Sequence, residues 1–207
     1  MALRTSTVAE SNAYWRSLGE FIDVFSKIES ELQVLIWQET KVPADMAKAI
    51  FSGFRIDQAK DLINRARESN GRPEEARLKR AFAQLTVITK ARNDIVHYGA
   101  KFNGEAFAVS NDIAAHVPNR RRTFEVSPQI LDAMINDLWT INCAIGAYKF
   151  SLALEEFGPD GMSSVPEAIR VLQKAADVPW QYIQPPPPQP TKQLRQHSPK
   201  RSGLLQS

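Results

Sequence analysis

The chain has 207 residues, 43% of them hydrophobic and 24% charged, a balance that excludes a wholly disordered chain and fits one domain plus a tail better than two full domains. Its single cysteine, Cys143, cannot close an intramolecular disulfide or build a thiolate metal cage, which excludes disulfide stapling and a structural zinc finger and points to a reducing, cytoplasmic setting. The formal charge of +3 is uneven: residues 65–122 hold 12 basic and 6 acidic groups, residues 123–184 hold 3 and 8, and the stretch from Pro185 onward holds 4 and none, a pattern compatible with one polyanion-facing patch.

From Ala13 to Thr40 the apolar residues Tyr14, Trp15, Leu18, Phe21, Ile22, Phe25, Ile28, Leu32, Leu35 and Ile36 recur every three or four positions, which predicts a long amphipathic helix. Pro43 suits a first helical turn and opens a short helix through Met46, Ala47, Ile50 and Phe51 to Gly53. Ile56, Ala59, Ile63 and Ala66 carry a third stripe up to the turn at Ser69–Pro73, where Asn-Gly favours positive φ. A fourth helix, opened by Pro73, Glu74 and Glu75, runs through Leu78, Ala81, Phe82, Leu85, Ile88, Ile95 and Val96 to Gly99. The β-prone runs FAVSN and RRTFEVS then suggest a small hairpin-like excursion around a polar loop. Ser127 and Pro128 start a second long helix to about Phe157, and Pro166 starts a last short one to about Ala176. The QPPPPQP run announces an extended tail, in which Pro187, Pro190 and Lys192 have the order a polyproline-binding groove would accept. The expected organisation is therefore a flexible N-terminus over 1–12, an all-α antiparallel bundle of four to five helices with a small β excursion over 13–178, and a disordered, basic, Pro-rich tail over 179–207. No signal-peptide-like run or charge-free stretch of about 20 residues is present, so secretion and membrane spanning are not expected.

The sequence has no phosphate-binding Gly-rich loop ending in Lys-Ser/Thr, no His-Glu-x-x-His, no Gly-x-Ser-x-Gly and no dinucleotide fingerprint. Its three histidines, His97, His116 and His197, are too scattered to suggest a metal centre, and no metal or other cofactor is expected. The informative string is KARNDIVHYG, Lys90 to Gly99, at the end of the fourth helix. With Leu85 at 0° and about 100° per residue, Arg92 falls near 340°, inside the apolar stripe with Val96 near 20°. A guanidinium there needs a carboxylate, an anion or water, because an unpaired buried charge costs several kcal/mol. Asn93 and His97 share a flank near 80° and 120°, so within one regular helix Arg92 and His97 point about 140° apart.

An Arg followed by a polar Asn, three more residues and a His near the end of a helix in an all-α chain resembles the HEPN superfamily, whose pattern is Arg, four to six residues, His. The resemblance rests on Arg92, Asn93 and His97 and on the helical layout from about 13 to 157. It implies a homodimer whose motif helices form a composite cleft and, for many members, metal-independent RNase activity; other members bind nucleotides or have lost catalysis. A toxin or phage-defence role, with an antitoxin or regulatory partner, comes from the same analogy. The chemistry suits the residues: His97 can move a proton near neutrality, Arg92 can grip phosphoryl oxygens, and Asn93 can orient either. Cleavage would leave a 2′,3′-cyclic phosphate. The chain departs from the subgroup with a tyrosine two residues after the histidine, because Tyr98 follows His97 directly and Gly99 takes the other place.

Blander roles fit the same residues. Arg92 would also fit an internal ion pair with Asp132 or Asp137, and His97 a helix C-terminal residue favoured by the dipole. Tyr98 suits packing or stacking on a base. Lys90, Lys79 and Arg80 on the motif helix, and the run Arg120, Arg121 and Arg122, are candidate RNA contacts, the last equally a solvated loop.

Overall fold

In the computed structural model, residues 5–111, 123–158 and 164–185 are described. They form six helices and a small sheet: α1 (Val8–Thr40), α2 (Ala44–Phe51), α3 (Ile56–Ser69), α4 (Ala76–Tyr98), β1 (Ala100–Phe102), β2 (Phe107–Ser110), β3 (Thr123–Glu125), α5 (Pro128–Phe157) and α6 (Val165–Ala176). The chain is thus the expected helical bundle with a small β excursion. Helix α1 begins at Val8 rather than Ala13, because Thr7 and Glu10 form a capping box: the Glu10 carboxylate accepts from the Thr7 N–H at 2.8 Å, and Thr7 Oγ1 accepts from the Glu10 N–H at 3.2 Å. Residues 8–12 therefore belong to the helix. Helix α4 starts at Ala76, after Pro73 and Glu74, with Glu75 as the N-cap whose carboxylate accepts from the Leu78 N–H. Ser127 caps α5 as expected, with Pro128 in its first turn.

The core is one continuous cluster in which α1, α3, α4 and α5 bury Phe21, Phe25, Ile28, Leu35, Ile63, Leu78, Leu85, Ile88, Leu131 and Leu138. Each such side chain contributes about 1.5–3 kcal/mol relative to exposure, which offsets the entropy of ordering these long helices. At one end of the bundle Glu39 of α1 meets Asn70 and Arg72 after α3, and Tyr148 of α5. At the other, Tyr14 of α1 stacks on Phe107 of β2 with ring centroids 4.2 Å apart. Helix α4 runs between these ends, antiparallel to α3 and α5, and its C-terminus leads straight into the sheet. That sheet has order β1-β2-β3 with both pairings antiparallel, Ala100 opposite Val109 and Val109 opposite Phe124. Strand β1 is an addition to the two β-prone runs read from the sequence.

Past α6 the chain does not leave the domain at residue 179. Residues 177–182 lie as a strap across α4 and α5, with Tyr182 buried and the backbone N–H groups of Gln181 and Tyr182 donating to Asp137 at 2.7 and 3.0 Å. A segment without helical or strand period docks here because a buried carboxylate satisfies its backbone. Among the described residues no helix is long and apolar enough to cross a membrane.

Candidate functional site

The last two turns of α4 carry the motif. Arg92 is half buried and reaches Phe25 of α1, its guanidinium carbon 5.2 Å from the centroid of that ring, a cation–π distance. Its Nη1 donates to Asn93 Oδ1 at 3.2 Å, and its buried Nε has no hydrogen-bond partner. The internal ion pair considered from the sequence does not form: among the described residues no carboxylate lies within ion-pair distance of Arg92, and Asp137 is spent on Gln84 and the strap. Arg92 and Asn93 are therefore brought together, the planar guanidinium held by a ring face and one amide.

His97 lies in the final turn of α4 and is exposed. It shares an exposed flank with Lys90 and Asn93, as the helical period requires, while Arg92 turns toward α1. One copy of α4 does not converge Arg92 and His97 on a common point. Val96 departs from the sequence expectation: placed on the apolar stripe by period, it is 51% exposed. The core under this turn is filled by Ile95, and Val96 stands outside it, although Leu78 and Leu85 on the same side earlier in α4 are buried. Tyr98, 37% exposed, lies about 160° around the helix from Val96, on the opposite side of α4. Gly99 ends the helix at φ 66° and ψ 162°, a backbone that side-chain-bearing residues avoid, and turns the chain into β1.

The other candidate contacts are not gathered here. Lys79 pairs with Glu74 at 2.6 Å and Arg80 with Asp177 at 2.7 Å, both near the start of α4, about 18 Å of helix rise from Arg92. Lys90 is exposed on the His97 flank. Arg120, Arg121 and Arg122, together with His116 and His197, lie outside the described residues.

Two polar clusters have no counterpart in the sequence pattern. In one, Asp137 accepts from Gln84 Nε2 at 2.7 Å as well as from the strap, and Gln84 donates onward to the Tyr182 carbonyl at 3.0 Å. In the other, Glu39 binds Arg72 at 2.6 Å and accepts from the Tyr148 hydroxyl, which in turn accepts from Arg67 Nε at 2.9 Å. Burial, then the Glu39 carboxylate, raises the Tyr148 phenol far above its ordinary value. Beside that second cluster a cleft of about 470 Å³ opens between Trp37, Lys41, Arg72 and Glu155, at the end of the bundle away from His97. Both clusters join residues more than 30 positions apart, so only an inward-facing Glu39 or Asp137 inside an apolar period would have signalled them.

Comparison with protein-family models, with curated proteins and with solved structures returned no match.

Proposed function

We propose that this chain is a metal-independent endoribonuclease of HEPN type that acts as a cytoplasmic homodimer, with Arg92, Asn93 and His97 of two copies lining one cleft. The observation that carries the reading is Arg92: a half-buried guanidinium seated on Phe25, oriented by Asn93 and engaging no carboxylate among the described residues. A cation kept at such a place without a counter-charge suits an anion from outside the protomer, and its planar fork matches two phosphoryl oxygens. The exposed Val96, one turn after Arg92 on the same side of α4, supports the second half of the reading, since another copy of α4 placed over it brings a second motif helix, with its His97, toward this Arg92.

In the resulting site His97 takes the proton of a ribose 2′-hydroxyl, or gives one to the leaving 5′-oxygen, while Arg92 stabilises the charge gathering on the five-coordinate phosphorus. The products are a 2′,3′-cyclic phosphate and a 5′-hydroxyl, and DNA is not cut because it lacks the attacking group. A toxin or phage-defence role, restrained by an antitoxin or regulatory partner, belongs to the same proposal.

The test is incubation of the purified protein with total RNA in EDTA beside Arg92→Lys and His97→Gln. A fall in cleavage of about 100-fold or more in each variant is expected for general acid–base and charge-stabilising groups. Cleavage that persists unchanged in both removes the assigned chemistry. RNA retained at low salt with no product at any time would instead make the cleft a binding module.

A further inference from the structure

The end of the bundle away from His97 holds a second set of polar groups that the fold leaves uncommitted. Trp37 and Gln38 in the last turn of α1, Lys41 and Val42 just after it, Arg72 after α3, and Leu152, Glu155 and Glu156 near the end of α5 line the cleft of about 470 Å³, within the roughly 300–1,000 Å³ of small-molecule sites. Arg72 is already engaged, by Glu39 at 2.6 Å and by Glu155 at 3.2 Å, so it offers no free charge. Lys41 and Glu156, both exposed, enter no ion pair among the described residues. The indole Nε1 of Trp37 and the amide Oε1 of Gln38 are buried without a hydrogen-bond partner; the third such side-chain atom among the described residues is Arg92 Nε, so two of the three belong to neighbouring residues of this one cleft. A buried donor and a buried acceptor left unmade cost free energy that an incoming partner returns. The backbone marks the same place. Lys41 has φ 52°, among the described residues the one left-handed position not held by glycine, at a helix end that glycine usually occupies. Its N–H closes on the Trp37 carbonyl at 3.0 Å, which sets Lys41 one turn after Trp37 on the same side of α1. Leu152 and Glu156 stand in the same relation on α5.

We propose that this cleft binds a free α-amino acid with a large apolar or aromatic side chain. The assignment follows from how the uncommitted groups sort: one cation and one N–H donor suit a carboxylate, one anion and one carbonyl oxygen suit an α-ammonium, and half-buried Val42 and buried Leu152 supply the apolar contact. Lys41 Nζ and Trp37 Nε1 take the carboxylate, Glu156 and Gln38 Oε1 take the ammonium, and the side chain lies on Leu152 and Val42. Rotation about side-chain bonds of Trp37 and Gln38 presents their buried atoms to the ligand. A purely anionic ligand would leave Glu156 facing like charge, and a purely cationic one would meet Lys41 in the same way. The inference does not rest on the RNA function proposed for α4, and the two stand or fall separately.

The test is thermal unfolding of the full chain, followed by circular dichroism, with L-leucine, L-phenylalanine or L-tryptophan at about 10 mM. A Kd of about 1 mM or tighter raises Tm by about 3 °C or more, and that rise is expected for at least one of the three. The N-acetyl derivative of the amino acid that binds lacks the ammonium and its amide lacks the carboxylate, so neither is expected to shift Tm. Lys41→Gly removes the cation and relieves the left-handed turn; the unliganded variant is expected to melt no lower than the parent, while isothermal titration calorimetry shows binding weakened at least about tenfold. Trp37→Phe keeps an aromatic ring and removes the N–H, and is expected to weaken binding by about fivefold or more. No rise with any of the three amino acids overturns the inference. Equal rises with the amino acid and both derivatives overturn it too, since the cleft would then be reading apolar surface alone. Undiminished binding by both Lys41→Gly and Trp37→Phe places the ligand elsewhere and overturns the cleft as its site.

Discussion

Asp137 is the residue whose setting most constrains the motif helix. It is 1% exposed, no Lys or Arg among the described residues pairs with it, and its two oxygens accept instead from one side-chain amide and two backbone N–H groups. Hydrogen bonds to a buried carboxylate contribute about 1.5–3 kcal/mol each, and removing the acceptor leaves three donors desolvated. Asp137→Ala is therefore expected to lower the unfolding free energy by about 3 kcal/mol in urea titration, with Asp177→Ala, at an exposed ion pair, costing under about 1 kcal/mol. Tyr182 supplies a pH test of the same contact. Its phenol ionises near 10.0 when unfolded and near 12 when folded, so the folded chain holds its proton longer. The stability contributed is fully present below about pH 10 and drains away as pH rises toward about 12. The urea midpoint is expected to drop between about pH 9 and 11.5, and Tyr182→Phe to shrink that drop; an identical drop in the variant would place the sensitivity at the other raised phenols, Tyr14 and Tyr148. None of this is legible from the helical period, which offers Asp137 as a counter-ion for Arg92, because period fixes which face a residue takes and not which distant segment comes to meet it.

Elements whose ends carry local chemistry are readable in the sequence, and those held by distant partners are not. Ser127 and Pro128 announce α5, and Gly99 marks the end of α4, since capping and positive φ are decided within a few residues. The start of α1 lies upstream of the first regular apolar spacing, at Val8 instead of Ala13, because Thr7 and Glu10 form a capping box that the apolar period does not register. Strand β1 has only three residues and no alternation long enough to detect; it forms because β2 pairs beside it, with Phe102 against Phe107 at 5.4 Å between ring centroids. Gly99 is the junction between the motif helix and that sheet. Its φ of 66° with ψ of 162° is a region essentially reserved for glycine, and nothing lies within 4 Å of an added Cβ. Gly99→Ala is thus a conformational test without a steric clash. It is expected to cost about 1–3 kcal/mol and to raise amide exchange in β1 and the last turn of α4, whereas Gly19→Ala, inside α1 with open space around it, is expected to be neutral or stabilising by about 1 kcal/mol.

At the scale of the whole molecule the deciding quantity is what covers the outer side of the last turn of α4. Arg92 and Val96 leave there one exposed apolar side chain beside one cation, on a chain whose motif residues diverge within a single copy. The sequence displays the motif string in full but cannot display this divergence as a feature of assembly, because one helix wheel describes one protomer. If a second copy closes the site, the protein sediments at twice its 23.3 kDa, and a charge placed at Val96 breaks both assembly and chemistry. Val96 is half exposed in the protomer, so Val96→Glu is expected to change the unfolding free energy of the protomer by less than about 1 kcal/mol while shifting the sedimentation equilibrium to monomer. Cleavage of RNA in EDTA is expected to fall with the dimer fraction and to recover as protein concentration is raised. A monomeric Val96→Glu protein that still cuts RNA at the parent rate would show that one copy suffices, and would move the catalytic pairing of Arg92 to a group other than the His97 of a second chain.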